Sequence, residues 1–179
     1  MPPAAWLLAV AALFPACVET PSVAVREQIQ SSWTRPLAYA GSDEVVIPLT
    51  RAKDDKLYFR LQVDGRDIDV VIDTGSRTVF DLKTLHALGV ATYPTRDNYY
   101  GFGGFLRGHV AFLNEINLGG LRLAGKTVTA IDLSDLQRSQ TAEALPQIDG
   151  LVGADLLALL SARIDYPAQT LTLRKPPSP

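Results

Sequence analysis

The stretch Val70-Val71-Ile72-Asp73-Thr74-Gly75-Ser76 carries an acid to the end of an apolar run. A lone aspartate is a weak base, with a reference pKa of about 3.9. Two carboxylates held about 3 Å apart cannot both ionise, so such a pair shares one proton. One member can then take a proton from water while the other donates to a carbonyl, and the pair titrates as a unit. The chain contains a single Asp-Thr-Gly and so contributes one acid of this kind. An isolated Asp-Thr-Gly also arises by chance, and Asp73 taken alone reads as a turn residue at a strand end.

Other chemistries find less support. Asp67-Ile68-Asp69-Val70-Val71 has the form of a phosphatase Asp-x-Asp loop, but that loop needs a buried apolar strand before it. Here Asp64-Gly65-Arg66 precedes it as a turn, so Asp67 and Asp69 read as the solvent face of a strand. Tyr99-Tyr100-Gly101-Phe102-Gly103-Gly104-Phe105 lacks the third glycine of a dinucleotide fingerprint, because Leu106 stands there, and it opens no helix. His86 and His109 lie near no Ser or Cys motif and read as structural or surface residues. One Cys and two His exclude a disulfide framework and a Cys/His zinc cluster. Neither a metal nor a cofactor is expected. A net charge of -2 provides no basic excess for a phosphate backbone, so no nucleic-acid partner is expected.

The elements that must position Asp73 are strands. Leu57 to Val63 alternates, with Phe59, Leu61 and Val63 on one face. Asp64-Gly65 is a hairpin turn signal, and Ile68, Val70 and Ile72 alternate again up to Asp73. Leu82, Leu85 and Leu88 before Gly89 fit a short amphipathic helix. His109 to Leu118 reads as a strand, Leu121 to Leu123 continues it, Ala124-Gly125-Lys126 reads as a turn, and Thr127 to Leu133 follows. Ser134 to Pro146 is polar and loop-like. Gly150 to Leu160 is a glycine turn running into an apolar helix. Arg163–Asp165 and Thr170 to Leu173 read as strands joined by Tyr166-Pro167-Ala168-Gln169. The sum is mostly β with two short helices, each after a strand and a glycine-bearing turn, which hints at an internal repeat.

Val70 to Phe80, the glycine-rich middle and Ile148 to Leu157 with its following Arg-Ile-Asp-Tyr-Pro together resemble the retropepsin-like aspartic peptidases, above all exported bacterial members. The resemblance covers about Glu44 to Leu173. It implies a single-domain, mostly β, closed barrel-like acid protease fold with a flap hairpin and short helices, and an aspartic-type endopeptidase, a hydrolase of peptide bonds. One Asp-Thr-Gly per chain implies a C2 homodimer in which each protomer gives one aspartate. By resemblance the site is Asp73, Thr74, Gly75 and Ser76. Thr74 would bond across the dyad, Gly75 suits a tight loop because it tolerates unusual backbone angles, and Ser76 could donate to an outer oxygen of Asp73. The flap is Tyr100, Gly101, Phe102, Gly103 and Gly104, closing over a polypeptide substrate. Asp149 and Asp155 lie at the matching place in the second half without an Asp-Thr-Gly, and read as a helix cap or first-turn charge. The alternative, from a different class, is a catalytically silent retropepsin-like binding module in the cell envelope, which would keep the fold while losing the dimer geometry.

The ends read as addresses. Residues 1–17 form a signal peptide: Trp6 to Ala16 is apolar but too short to span a bilayer comfortably. Phe14-Pro15-Ala16-Cys17 loosely resembles a lipobox, which makes Cys17 a candidate for lipidation and membrane attachment. A cut after Ala24 is the soluble alternative. Either implies export to the periplasm or cell envelope. Residues 18–42 read as a spacer, 43–174 as the peptidase domain and 175–179 as a tail.

Overall fold

Alternation builds this molecule, and most of its strands close on each other. The computed structural model describes residues 38–101 and 104–176. The strands are β1 (Ala38–Gly41), β2 (Glu44–Pro48), β3 (Thr50–Arg51), β4 (Leu57–Val63), β5 (Arg66–Asp73) and β6 (Val79–Asp81), followed by helix α1 (Leu82–Ala87). Next come β7 (Thr92–Gly101), β8 (Gly104–Leu118), β9 (Leu121–Ile131) and helix α2 (Ser134–Ala142). The chain ends with β10 (Gly150–Gly153), helix α3 (Ala154–Leu159), β11 (Arg163–Asp165) and β12 (Thr170–Arg174).

β4 and β5 form the hairpin expected from their period of two, with Val63 opposite Arg66. Asp64 and Gly65 turn it with φ of 48° and 78°, the left-handed pair that a two-residue hairpin requires. β5 lies parallel to β10, β10 antiparallel to β6, and β6 parallel to β9. β9 pairs along its length with β8, and β8 returns to β4 at Val63 and Ile116. The ring β9-β6-β10-β5-β4-β8 therefore closes, as expected of a barrel-like fold. A second sheet, β11-β12-β2, joins the two ends of the described chain.

Closure leaves one inside. Phe80, Leu61, Ile116, Leu121 and Leu123 are each at most 1% exposed. Leu85 of α1 and Leu156 of α3 seal the ring, and Leu171 and Leu173 of β12 cover it from the second sheet. Each fully buried Leu or Phe contributes about 1.5–3 kcal/mol of transfer free energy.

Several expectations change. Ala124-Gly125-Lys126 does not turn: β9 runs unbroken through it, with Gly125 at φ 67°. The ladder to β8 holds one register from His109–Ala130 to Leu118–Leu121 and overrides the local turn signal. β8 begins at Gly104, five residues before His109, because the flap segment is itself strand. Ser134 to Pro146 contains the helix α2 and is not all loop, so the described residues hold three helices and not two. Ala38–Gly41, within the stretch read as spacer, pairs with β9. Residues 1–37, including Cys17, and 177–179 lie outside the described residues.

Candidate active site

β5 ends at Asp73, and the chain turns at once through Thr74 and Gly75. The turn is held from within. Gly75 N–H donates to Asp73 Oδ1 at 3.0 Å, and Ser76 N–H donates to the Asp73 carbonyl at 3.2 Å. The Ser76 hydroxyl donates to the same carbonyl at 3.3 Å, not to the carboxylate as the sequence suggested. Gly75 is not in the left-handed region, so unusual backbone angles are not what it provides. A Cβ there would meet only Asp73 Oδ1, at 3.4 Å. Thr74 is exposed.

The second half of the chain clamps this loop. Asp73 sits opposite Gly153 in the parallel β5–β10 ladder. A Cβ on Gly153 would lie 2.3 Å from the Arg77 carbonyl carbon and 2.4 Å from the Ser76 carbonyl oxygen. Only glycine lets β10 approach so closely. Ala154 N–H then donates to Ser76 O at 2.8 Å, and Gly153 N–H to Thr78 Oγ1 at 3.0 Å. Asp155 Oδ1 accepts from Thr78 N–H at 2.8 Å and from Thr78 Oγ1 at 2.7 Å. Burial pushes the Asp155 carboxyl up, but the donors from Thr78 and Leu156, aided by Lys126, hold it below the ordinary carboxylate range.

Asp155 is thus a first-turn residue of α3 whose carboxylate reaches back to the loop. Asp149 caps no helix. Its Oδ2 accepts from Asp69 N–H at 2.9 Å and its Oδ1 from Thr84 Oγ1 at 2.8 Å, tying β5 to α1. A further acid, Asp81, is 1% exposed. Asp81 caps α1 through Thr84 N–H at 2.9 Å and accepts from Leu133 N–H at 3.0 Å. Its signal was legible: an Asp three residues before Thr84 at a helix entry. Asp67 accepts from Gln62, and Asp69 takes a forked pair from Arg60 at 2.8 and 2.9 Å. Both are on the solvent face, as read.

β7 and β8 form a hairpin in which Tyr100 pairs with Phe105 and Gly101 with Gly104. Its tip residues Phe102 and Gly103 lie outside the described residues, and so does the side chain of Tyr100. β7 gains two residues on β8 between Pro94 and Asn98, and the bulge folds over Gly108. A Cβ on Gly108 would meet Tyr99 Cε2 at 2.5 Å. Tyr99 and Leu106, paired two steps from the tip, pack with Val79, Ile131 and Leu133, so the outer part of the hairpin leans toward the Asp73 loop. His109 lies within β8, with Nδ1 buried and unpartnered among the described residues, and burial lowers its pKa. His86 bonds Thr92 Oγ1 at 2.7 Å.

Between hairpin and loop runs an open cleft of about 550 Å³. Asp73 to Arg77 form its floor, Tyr99 and Leu106 one wall, and Leu136 and Gln140 of α2 the far wall. Gln140 is 4% exposed, and its Oε1 has no hydrogen-bond partner among the described residues. Among the described residues no group of three His, Cys, Asp or Glu could hold a metal ion.

A family model described as aspartyl protease matches residues 59–156, the span from β4 through the Asp73 loop to Asp155. The chain belongs to the aspartyl protease family. It is similar to a retropepsin-like aspartic protease from Rickettsia conorii, with a TM-score of 0.51 and 18% identity. That likeness covers 79% of this chain and 96% of that one, and it is one of fold. Two further solved structures are similar at 18% identity. The retroviral protease-like domain of Ddi1 from Leishmania major has a TM-score of 0.44 over 66% of this chain and 87% of its own. The EIAV protease with the inhibitor HBY-793 has 0.45 over 65% and 98%. No curated protein matches by sequence. The mostly β fold of this aspartyl protease family member is retropepsin-like.

Proposed function

We propose that the chain is an aspartic endopeptidase that works as a homodimer on polypeptide substrates, one aspartate coming from each protomer. The observation that carries this reading is that the Asp73 loop is built and clamped but holds one carboxylate. The other acids of the matching half are engaged elsewhere: Asp149 by Asp69 and Thr84, and Asp155 by Thr78. Asp132 and Asp135, which also line the cleft, are held by Ser134 and Arg138. This supports a second carboxylate supplied by another copy, with the exposed Thr74 facing that copy.

In this dyad one carboxyl is ionised and one neutral. The ionised member takes a proton from water as the water oxygen bonds to the substrate carbonyl carbon. The neutral member donates its proton to the carbonyl oxygen. The resulting diol collapses as the C–N bond breaks, the carboxyl that took the water proton giving it to the leaving amine while the other carboxylate takes the proton of one diol hydroxyl. By this reading the β7–β8 hairpin is the element that closes over a bound peptide and shields the reacting bond from water.

The test is cleavage of a peptide library by the wild type and by Asp73→Asn, combined with sedimentation across a dilution series. The Asn variant is expected to fold with unchanged stability and to lose at least about 1000-fold in kcat/KM, since an amide cannot share the proton. Specific activity is expected to fall as the dimer dissociates. Full activity in the variant, or constant activity in a monomer, would overturn the reading.

A further inference from the structure

The cleft walls are apolar, yet five charged side chains reach the cleft: Lys56, Asp73, Arg77, Asp132 and Asp135. Three are neutralised by neighbours. Lys56 Nζ lies 3.1 Å from Asp54. Asp132 accepts from the Ser134 backbone and hydroxyl, with Lys83 at 3.9 Å. Asp135 pairs with Arg138. Asp73 is the acid of the loop itself. Arg77 alone makes no hydrogen bond or ion pair with any described residue, and its side chain is exposed to the cleft.

The root of Arg77 is nonetheless rigid. Its carbonyl carbon packs against Gly153. Ser76 before it is held by Ala154 N–H, and Thr78 after it by Asp155. A guanidinium fixed at its base and unpartnered at its tip presents a planar fork of donors matched to a carboxylate. The pairing of Lys56, Asp132 and Asp135 leaves Arg77 as the cleft cation without an ion-pair partner among the described residues, with Asp73 the one other unpaired charge on the floor.

We propose that Arg77 is a specificity-determining residue that selects polypeptides bearing an Asp or Glu side chain beside the scissile bond. The proposal rests on the endopeptidase reading above. Its position follows from the chain: Arg77 stands four residues after Asp73 on the same cleft floor, so it meets a substrate residue flanking the one being cut.

The test uses the full chain and peptides with a fixed apolar pair, amidated at the C-terminus so that only side-chain carboxylates are offered. Each flanking position is set in turn to Asp, Asn or Lys. One position is expected to favour Asp over Asn by about fivefold in kcat/KM, as suits a partly exposed charge pair, and the preference should shrink at high salt. Arg77→Gln should abolish it and Arg77→Glu should reverse it toward Lys. Equal values for Asp and Asn at every position, or a preference that persists in Arg77→Glu, would overturn the proposal. So would dissociation of Arg77→Gln to monomers where the wild type is dimeric, since the cation would then serve the interface. If no peptide is cut, the endopeptidase reading fails separately. The Asp-against-Asn difference is then measured as peptide affinity by calorimetry, where equal affinities would overturn the role of Arg77.

Discussion

A single methyl group at residue 153 measures how firmly the second half of the chain holds the acid loop. In Gly153→Ala the new Cβ would lie 2.3 Å from Arg77 C, 2.4 Å from Ser76 O and 2.5 Å from Thr78 N. Favourable carbon contacts sit at about 3.5–4.0 Å, so the loop must retreat by about 1 Å. All three atoms are backbone, and no rotamer change makes room. The retreat stretches the bond from Ala154 N–H to Ser76 O at 2.8 Å and that from Gly153 N–H to Thr78 Oγ1 at 3.0 Å. Overpacking costs about 1–3 kcal/mol and each weakened hydrogen bond up to about 1 kcal/mol. A total of about 3 kcal/mol lowers Tm by about 6–12 °C in a domain of this size. A carboxylate displaced by about 1 Å loses about 100-fold in kcat/KM. The control is Gly75→Ala, whose Cβ meets only Asp73 Oδ1, at 3.4 Å. In dilute protein its Tm is expected to stay within about 2 °C of wild type. Thermal unfolding, urea titration and peptide cleavage read the outcome. A Gly153→Ala protein with wild-type Tm and kcat/KM would refute the clamp. Equal destabilisation by both substitutions would refute its assignment to β10.

Two further outcomes are expected. Asp155 has a folded-state pKa below the ordinary carboxylate range, its donors outweighing burial. It therefore adds stability above its unfolded pKa of about 3.9 and loses that stability as pH falls through the folded value. Asp155→Asn should cost about 1 kcal/mol at neutral pH, because the side chain is partly exposed. Its Tm should also decline less steeply than wild type below about pH 4, and parallel Tm–pH curves would contradict this. Peptide cleavage should follow a bell-shaped pH profile and yield to a hydroxyl-bearing statine peptide, because activity needs one neutral and one ionised carboxyl. A monotonic profile over the full range would contradict the shared proton.

Local patterning determined a good part of this protein. The period of two in Leu57 to Val63 and in Ile68 to Ile72, with Asp64-Gly65 between, wrote the β4–β5 hairpin and placed Asp73 at its end. Leu82, Leu85 and Leu88 wrote α1, and the run from Gly150 wrote β10 and α3. These signals are short-range: alternation, a turn pair, a cap. α2 was not legible, because Ser134–Ala142 is polar and only Gln140 within it is buried. The helix is held from outside, by Leu136 packed near Val71 and by Gln137 Nε2 donating to Ile148 O at 2.8 Å. The unbroken β9 was hidden for the converse reason, a local turn signal at Gly125 overruled by its ladder to β8. Nothing near residue 153 announces that its hydrogen faces the backbone of residues 76–78, nor anything near residue 77 that its guanidinium lacks a counter-charge. The first joins groups some 75 positions apart in the chain, and the second depends on which side chains the fold gathers into the cleft. Only the parallel pairing of β5 with β10 brings Gly153 against residues 76–78, and so fixes the loop that presents Asp73.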